Sequence, residues 1–226
     1  MVNLGDCVSG PLAAAGTADL LMDRAFVTVR GNHDRQLLDR PASAMGPSDR
    51  TAHAQLDARH RSWLAALPAT ALVGDGGSAD VLLCHGAPAS DLTYLLETVS
   101  PHGMSLATPR DVTARLGATP QRVVLCGHTH VPRAVTTADG RLVVNPGSVG
   151  LPAFSDDTPY PHVAEAGTPH APHARYALVD TSRRPRVALI AVPYDWDDAA
   201  HDAARAGRAD WAHALATGYM PVAPSR

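Results

Sequence analysis

The chain has 226 residues, enough for one substantial α/β domain, and its hydrophobic content of 45% and charged content of 18% are those of a globular protein. A net charge of −3 argues against a nucleic-acid partner, no apolar stretch reaches membrane-spanning length, and the absence of lysine removes P-loop and Schiff-base chemistry. The 3 cysteines form no CxxC pair and point to reduced thiols in a cytoplasmic protein, with no basic and apolar leader at the N-terminus.

In chain order, Val2-Asn3-Leu4 opens as a strand. Residues 11–24 read as a short helix with Leu12, Leu20 and Leu21 inward, followed by a strand over Phe26–Arg30. Residues 49–67 give the clearest helical period, through Leu56, Trp63, Leu64 and Leu67, with Pro68 just past the end. Asp75-Gly76-Gly77-Ser78 is a turn, and residues 80–84 a buried strand. Thr108-Pro109 reads as a cap and first-turn proline for a helix ending near Leu116-Gly117. Strands come next over 123–126, 131–136 and 142–144, the last two joined by a turn at Ala138-Asp139-Gly140. Residues 152–174 read as a Pro- and His-rich loop in which His162, His170 and His173 are solvated. Residues 175–180 and 186–192 form a hairpin-like pair, and 197–217 a helical tail anchored by Trp211 and Leu215. Arg183-Arg184-Pro185-Arg186 is read as a solvated turn.

The chemistry lies at strand ends. Val2-Asn3-Leu4 runs into Gly5-Asp6, and Val27-Thr28-Val29-Arg30 into Gly31-Asn32-His33-Asp34. Val81-Leu82-Leu83-Cys84 runs into His85-Gly86, and Val123-Val124-Leu125-Cys126 into Gly127-His128-Thr129-His130. Buried parallel strands read as continuous Val/Leu runs, and ligands in α/β sheets bind beyond their carboxyl ends. Any one of these motifs alone could be an ordinary turn; four in this arrangement form a constellation. Cys7, Cys84 and Cys126, each next to a proposed ligand or one residue from it, are read as small buried apolar groups and not as nucleophiles. Ser148 has no G-x-S-x-G frame, which disfavours a serine hydrolase. Asn145-Pro146-Gly147-Ser148 is read as a turn, and Arg35 as part of a solvated helix face.

The ordered set Gly-Asp, Gly-Asn-His-Asp, His and Gly-His-x-His resembles the calcineurin-like metallophosphoesterases, and Asn145-Pro-Gly-Ser-Val-Gly-Leu-Pro152 resembles their small bacterial phosphodiesterase branch. The likeness covers roughly residues 1–195 of the chain. It implies a single α/β domain, a four-layer αββα sandwich of two mixed sheets flanked by helices. It also implies an Asp-x-His motif on a strand upstream of Gly5-Asp6. No Asp-x-His occurs in this sequence, so the first strand and helix are expected to lie before Met1, and an edge left unpaired there would invite a second copy of the chain. Carried over residue by residue, Asp6 bridges two divalent ions. Asn32, His85 and His128 complete one ion, and His130 belongs to the other. His33 acts over the phosphate as acid or charge stabiliser, and Asp34 takes the hydrogen bond that orients its imidazole. Gly5, Gly31 and Gly127 let the backbone pass close to the ions. The implied ions are Mn, Fe, Zn, Ni or Co. The implied reaction is hydrolysis of a small phosphodiester or phosphomonoester by metal-bound hydroxide. The rival reading is a metal-binding or protein-interaction scaffold that has lost catalysis.

Overall fold

The structure, a computed structural model, describes residues 1–74, 81–166, 172–182 and 184–221. The expected turn at 75–78 and the histidine at 170 lie outside these residues. The chain forms two compact units, Met1–Leu95 with Thr113–His128, and Leu96–Val112 with Thr129–Arg226. The elements in order are β1 (Val2–Asn3), α1 (Ala14–Arg24), β2 (Val27–Thr28), α2 (Asn32–Asp39), a 3-10 turn (Ala42–Ala44), α3 (Pro47–Gln55), α4 (Ala58–Ala66), β3 (Thr70–Val73) and β4 (Val81–Cys84). Then come β5 (Glu97–Ser100), β6 (Gly103–Leu106), α5 (Pro109–Leu116), β7 (Val123–Leu125), β8 (Arg133–Thr136) and β9 (Leu142–Asn145). The last are β10 (Ala153–Asp156), β11 (His162–Glu165), β12 (Ala174–Asp180), β13 (Arg186–Val192), α6 (Trp196–Arg205) and α7 (Ala209–Thr217). The α/β class expected from the sequence is the observed one.

The first unit holds the parallel strands. All four residues of β4 are buried, which explains its uninterrupted Val-Leu-Leu-Cys sequence. β3 pairs antiparallel with β4, and β4 pairs parallel with β7 in the register Val81↔Val123, Leu82↔Val124, Leu83↔Leu125, so this sheet is mixed. β1 pairs parallel with β2, Val2 opposite Val27 and Asn3 opposite Thr28. Each parallel pair delivers two loops in the same direction: those bearing Asp6 and Asn32, and those bearing His85 and His128.

Helices α1 to α4 close around one apolar cluster that includes Val8, Ala14, Ala18, Leu37, Met45, Ala52, Leu56 and Leu64. Burying a leucine such as Leu37 or Leu64 is worth roughly 1.5–3 kcal/mol, so this packing fixes α2 and the residues at its start. Two sequence expectations change here. α1 turns Ala14 and Ala18 inward, whereas Leu20 is 54% exposed, because small residues allow the helix to approach its neighbours closely. The long helix over 49–67 is two helices. Leu56 leaves α3 with extended backbone, and the Asp57 side chain accepts from the His60 backbone N–H to start α4.

The second unit is built from antiparallel pairs: β5–β6, β8–β9, β10–β11 and β12–β13. Residues 153–165, assigned to a loop by their proline and histidine content, carry the β10–β11 hairpin. His162 is 5% exposed on β11, with its Nδ1 2.8 Å from the Tyr160 carbonyl, and His173 packs against Trp196 at 5.4 Å, so neither is the solvated side chain expected. Within the same unit, Glu97 is 1% exposed and accepts from Arg133 Nε at 2.8 Å.

Candidate metal centre

The site begins with two tight strand exits. Gly5 has φ +90°, and a Cβ on it would lie 2.5 Å from the Gly31 amide nitrogen. A Cβ on Gly31 would lie 2.1 Å from Asp6 Oδ1 and 2.4 Å from Asp6 N. Both glycines are required because the ends of β1 and β2 run against each other. Gly127 differs from expectation: a side chain there would make ordinary contact at 3.5 Å with Leu4.

Four non-glycine residues have positive φ among the described residues, and three are expected ligands: Asp6 at 53°, His128 at 68° and His130 at 60°. Such conformations are disfavoured for L-residues and collect at functional sites. The surrounding bonds hold Asp6 in place. Asp34 Oδ2 accepts from the backbone N–H of Asp6 at 2.8 Å and of Gly31 at 2.9 Å, while its Oδ1 accepts from Cys7 N–H at 2.9 Å. Asp6 Oδ1 in turn accepts from His33 N–H at 2.8 Å. The two carboxylates thus clamp the β1 exit to the start of α2.

Asp6, His85 and His128 place one ligand atom each within 4.8 Å of one another. His85 Nδ1 lies 2.6 Å from the Leu4 carbonyl, which can only accept, so Nδ1 carries the proton. His85 Nε2 then faces two oxygens, Asp6 Oδ2 at 3.0 Å and Asn32 Oδ1 at 3.1 Å. A carboxylate oxygen and an amide oxygen thus face one imidazole nitrogen, and a cation among them, a proton on Nε2 or a metal ion, satisfies all three. The donor set therefore fits a divalent ion of the Mn, Fe or Zn type. The His128 ring lies 5.0 Å from that of His85 and meets Tyr94 edge-on at 4.9 Å.

Electrostatics agree with this grouping. Burial opposes ionisation of Asp6, but the neighbouring His85 charge and hydrogen bond, with His33 and His128 beyond, hold it well below the usual carboxylate range. Burial likewise opposes a charged His85, and Asp6 outweighs it, so His85 is raised. Burial and the Asp6 charge push Asp34 up to about 6, despite its hydrogen bonds from Gly31 and Cys7. Burial alone lifts Cys84 to about 12, and burial with the charges of Asp34 and Asp6 raises Cys7 well above the ordinary thiol value, which favours the protonated thiol at both.

The expected contact between His33 and Asp34 is not formed. Consecutive helical residues point about 100° apart, and Asp34, at the third position of α2, reaches back to Gly31. His33 Nδ1 instead meets Asp49 Oδ1, from the first turn of α3, at 2.7 Å. Burial disfavours the His33 cation, but the hydrogen bond to Asp49 and the charges of Asp6, Asp49 and Asp34 outweigh it and raise His33 to about 9. Nothing in the sequence marked Asp49 beyond its place as an acidic residue near a helix start. Arg35, its side chain 33% exposed, also has a partner that the sequence did not mark: it forms a two-toothed ion pair with Asp91, at 2.7 and 3.0 Å. His130 lies in the second unit, its ring edge-on to Phe154 at 5.0 Å. Asn145 shapes a turn, accepting from Gly147 N–H and donating to Thr129 Oγ1, both at 2.9 Å.

A mixed α/β scaffold thus gathers carboxylate, amide and imidazole donors beyond parallel strands, a set suited to a divalent metal ion. The calcineurin-like phosphoesterase superfamily domain matches residues 1–166, and the chain belongs to that superfamily. Among solved structures, it is similar to a metallophosphoesterase from Sphaerobacter thermophilus, with 23% identity over 95% of this chain and 86% of the other and a TM-score of 0.68. It is also similar to a hypothetical protein from Pyrococcus horikoshii OT3, with 17% identity over 97% and 85% and a TM-score of 0.67. At these identities the likeness concerns the fold. A comparison with curated proteins finds no match. No described helix is long and apolar enough to cross a membrane.

Proposed function

We propose that the chain hydrolyses the phosphoester bonds of a small substrate, phosphodiesters in preference to monoesters, with divalent metal held by Asp6, Asn32, His85 and His128. The observation that carries this is the convergence of Asp6 Oδ2 and Asn32 Oδ1 on His85 Nε2, with Nδ1 of the same ring committed to the Leu4 carbonyl. The bound ion would supply Lewis acidity, activating water and neutralising phosphoryl charge. The protein does the rest. Asp6 and Asp34 fix the strand exits, the Leu4 carbonyl holds the His85 tautomer, and His33 offers its Nε2 to the phosphoryl or leaving oxygen, since Nδ1 is taken by Asp49. For His130 the resemblance to the superfamily supports a ligand role. Manganese is the first ion to try, with Fe, Zn, Ni and Co as the other candidates.

The test is turnover of bis(p-nitrophenyl) phosphate and of p-nitrophenyl phosphate by protein stripped with chelator and reloaded with each ion. The reading expects metal-dependent release that is faster on the diester, and abolished by Asp6→Asn. Equal rates with and without metal, or no hydrolysis with any of the five ions, would overturn it.

A further inference from the structure

Beyond the metal ligands, the first unit holds a hydrogen-bonded line of three side chains. Ser9 Oγ donates to Asp49 Oδ1 at 2.6 Å, and His33 Nδ1 meets the same oxygen at 2.7 Å. Ser9 lies three residues beyond Asp6 on the β1 exit, His33 sits at the second position of α2, and Asp49 lies in the first turn of α3. Asp49 is 3% exposed, whereas the His33 side chain is 41% exposed. The carboxylate is thus shielded and held from behind while the ring it grips reaches solvent. Its place in the first turn of α3 also favours negative charge through the helix dipole.

We propose that Asp49, steadied by Ser9, is a positioning residue for His33. It engages Nδ1–H, so that Nε2 is the ring nitrogen presented to the substrate. This rests on the phosphoesterase reading, and it gives the orienting role to a residue of another helix instead of His33's own neighbour, Asp34. The two carboxylates divide the work: Asp34 binds backbone N–H groups of the strand exits, and Asp49 binds side chains of the site. The exposed ring needs such a partner, because a partly solvated imidazole with a free Nδ1 samples several rotamers and both tautomers.

A double-mutant cycle on the metal-loaded full chain tests this, with bis(p-nitrophenyl) phosphate as substrate. A positioned acid or charge stabiliser contributes about a hundredfold or more, and Asp49→Ala should forfeit about ten- to a hundredfold of kcat with little change in KM and none in metal content. In a His33→Ala background the same substitution should cost nothing further, since residues acting as a unit are non-additive. Asp49→Asn keeps the volume and an acceptor oxygen. It should lose less than Asp49→Ala, again only when His33 is present, and it carries the cycle if the alanine variant does not fold. The second readout is independent of turnover: the Nδ1 proton of His33, followed by 1H–15N NMR on zinc-loaded protein, should be shifted downfield and slow to exchange, and should lose both properties in Asp49→Ala or Asp49→Asn. An equal loss of kcat in both backgrounds, or a loss of metal in Asp49→Asn, would overturn this inference alone. Absence of turnover in the wild type would overturn the phosphoesterase reading together with it.

Discussion

Removing the Asp34 side chain separates its structural role from the orienting role expected of it. In the metal-free protein Asp34→Ala deletes the acceptor of three backbone hydrogen bonds, from Asp6, Cys7 and Gly31. Asp34 is 0% exposed, so little water is available to replace it. At about 1–2 kcal/mol for each donor left unsatisfied, the loss is about 3–6 kcal/mol, a large share of a net stability of about 5–15 kcal/mol. For a chain of this size each kcal/mol lowers the thermal midpoint by roughly 2–4 °C, so a fall of at least ~6 °C is expected. The assay is thermal unfolding by circular dichroism in excess EDTA, where loss of a bound ion cannot contribute. Asp34→Asn should fall between the two, since its amide retains one oxygen acceptor but turns a donor toward the remaining N–H groups. A midpoint for Asp34→Ala within about 1 °C of wild type, less than the loss of even one such bond would produce, would refute the clamp.

Three further outcomes rest on the same geometry. Gly31→Ala should fail to bind metal or to fold, because its Cβ would sit 2.1 Å from Asp6 Oδ1 and 2.4 Å from Asp6 N; wild-type metal content by plasma mass spectrometry would contradict this. His33 titrates near 9 in the folded metal-free chain against an ordinary value of 6.5, so its stabilising contribution is complete below about 6.5 and lost as pH rises through about 9. The EDTA-treated protein should therefore lose thermal midpoint over that window, and His33→Asn should lose less; identical slopes would refute the assignment. Cys84 is 0% and Cys126 1% exposed, so native protein at mildly alkaline pH should resist iodoacetamide at both while unfolded protein is alkylated at all three cysteines; rapid native labelling of either would contradict the burial.

Much of the site was legible because parallel strands advertise themselves. β4 is buried along its whole length, so its sequence is continuous apolar residues, and ligands collect just beyond the carboxyl ends of such strands in an α/β sheet. Asp6, His85 and His128 could be named together for that reason. The partner of His33 could not. Asp49 comes sixteen positions later, and only the packing of α3 against α2 brings it there. The long helix was misjudged because the apolar period runs on through Leu56, whereas one side chain, Asp57, marks the break and starts α4. The β10–β11 hairpin was missed because proline and histidine at 159–162 suggested a loop, and pairing with a neighbouring strand overrode composition. Leu20 faces outward on α1 because small residues, and not large ones, set the close approach of that helix.

The most direct test is where a metal ion binds. Crystals of the full chain soaked in manganese and measured at a wavelength giving anomalous scattering from that ion should show density bounded by Asp6, Asn32, His85 and His128, absent in His128→Ala. An ion bound instead at His162 or His173, or density unchanged by His128→Ala, would contradict the account.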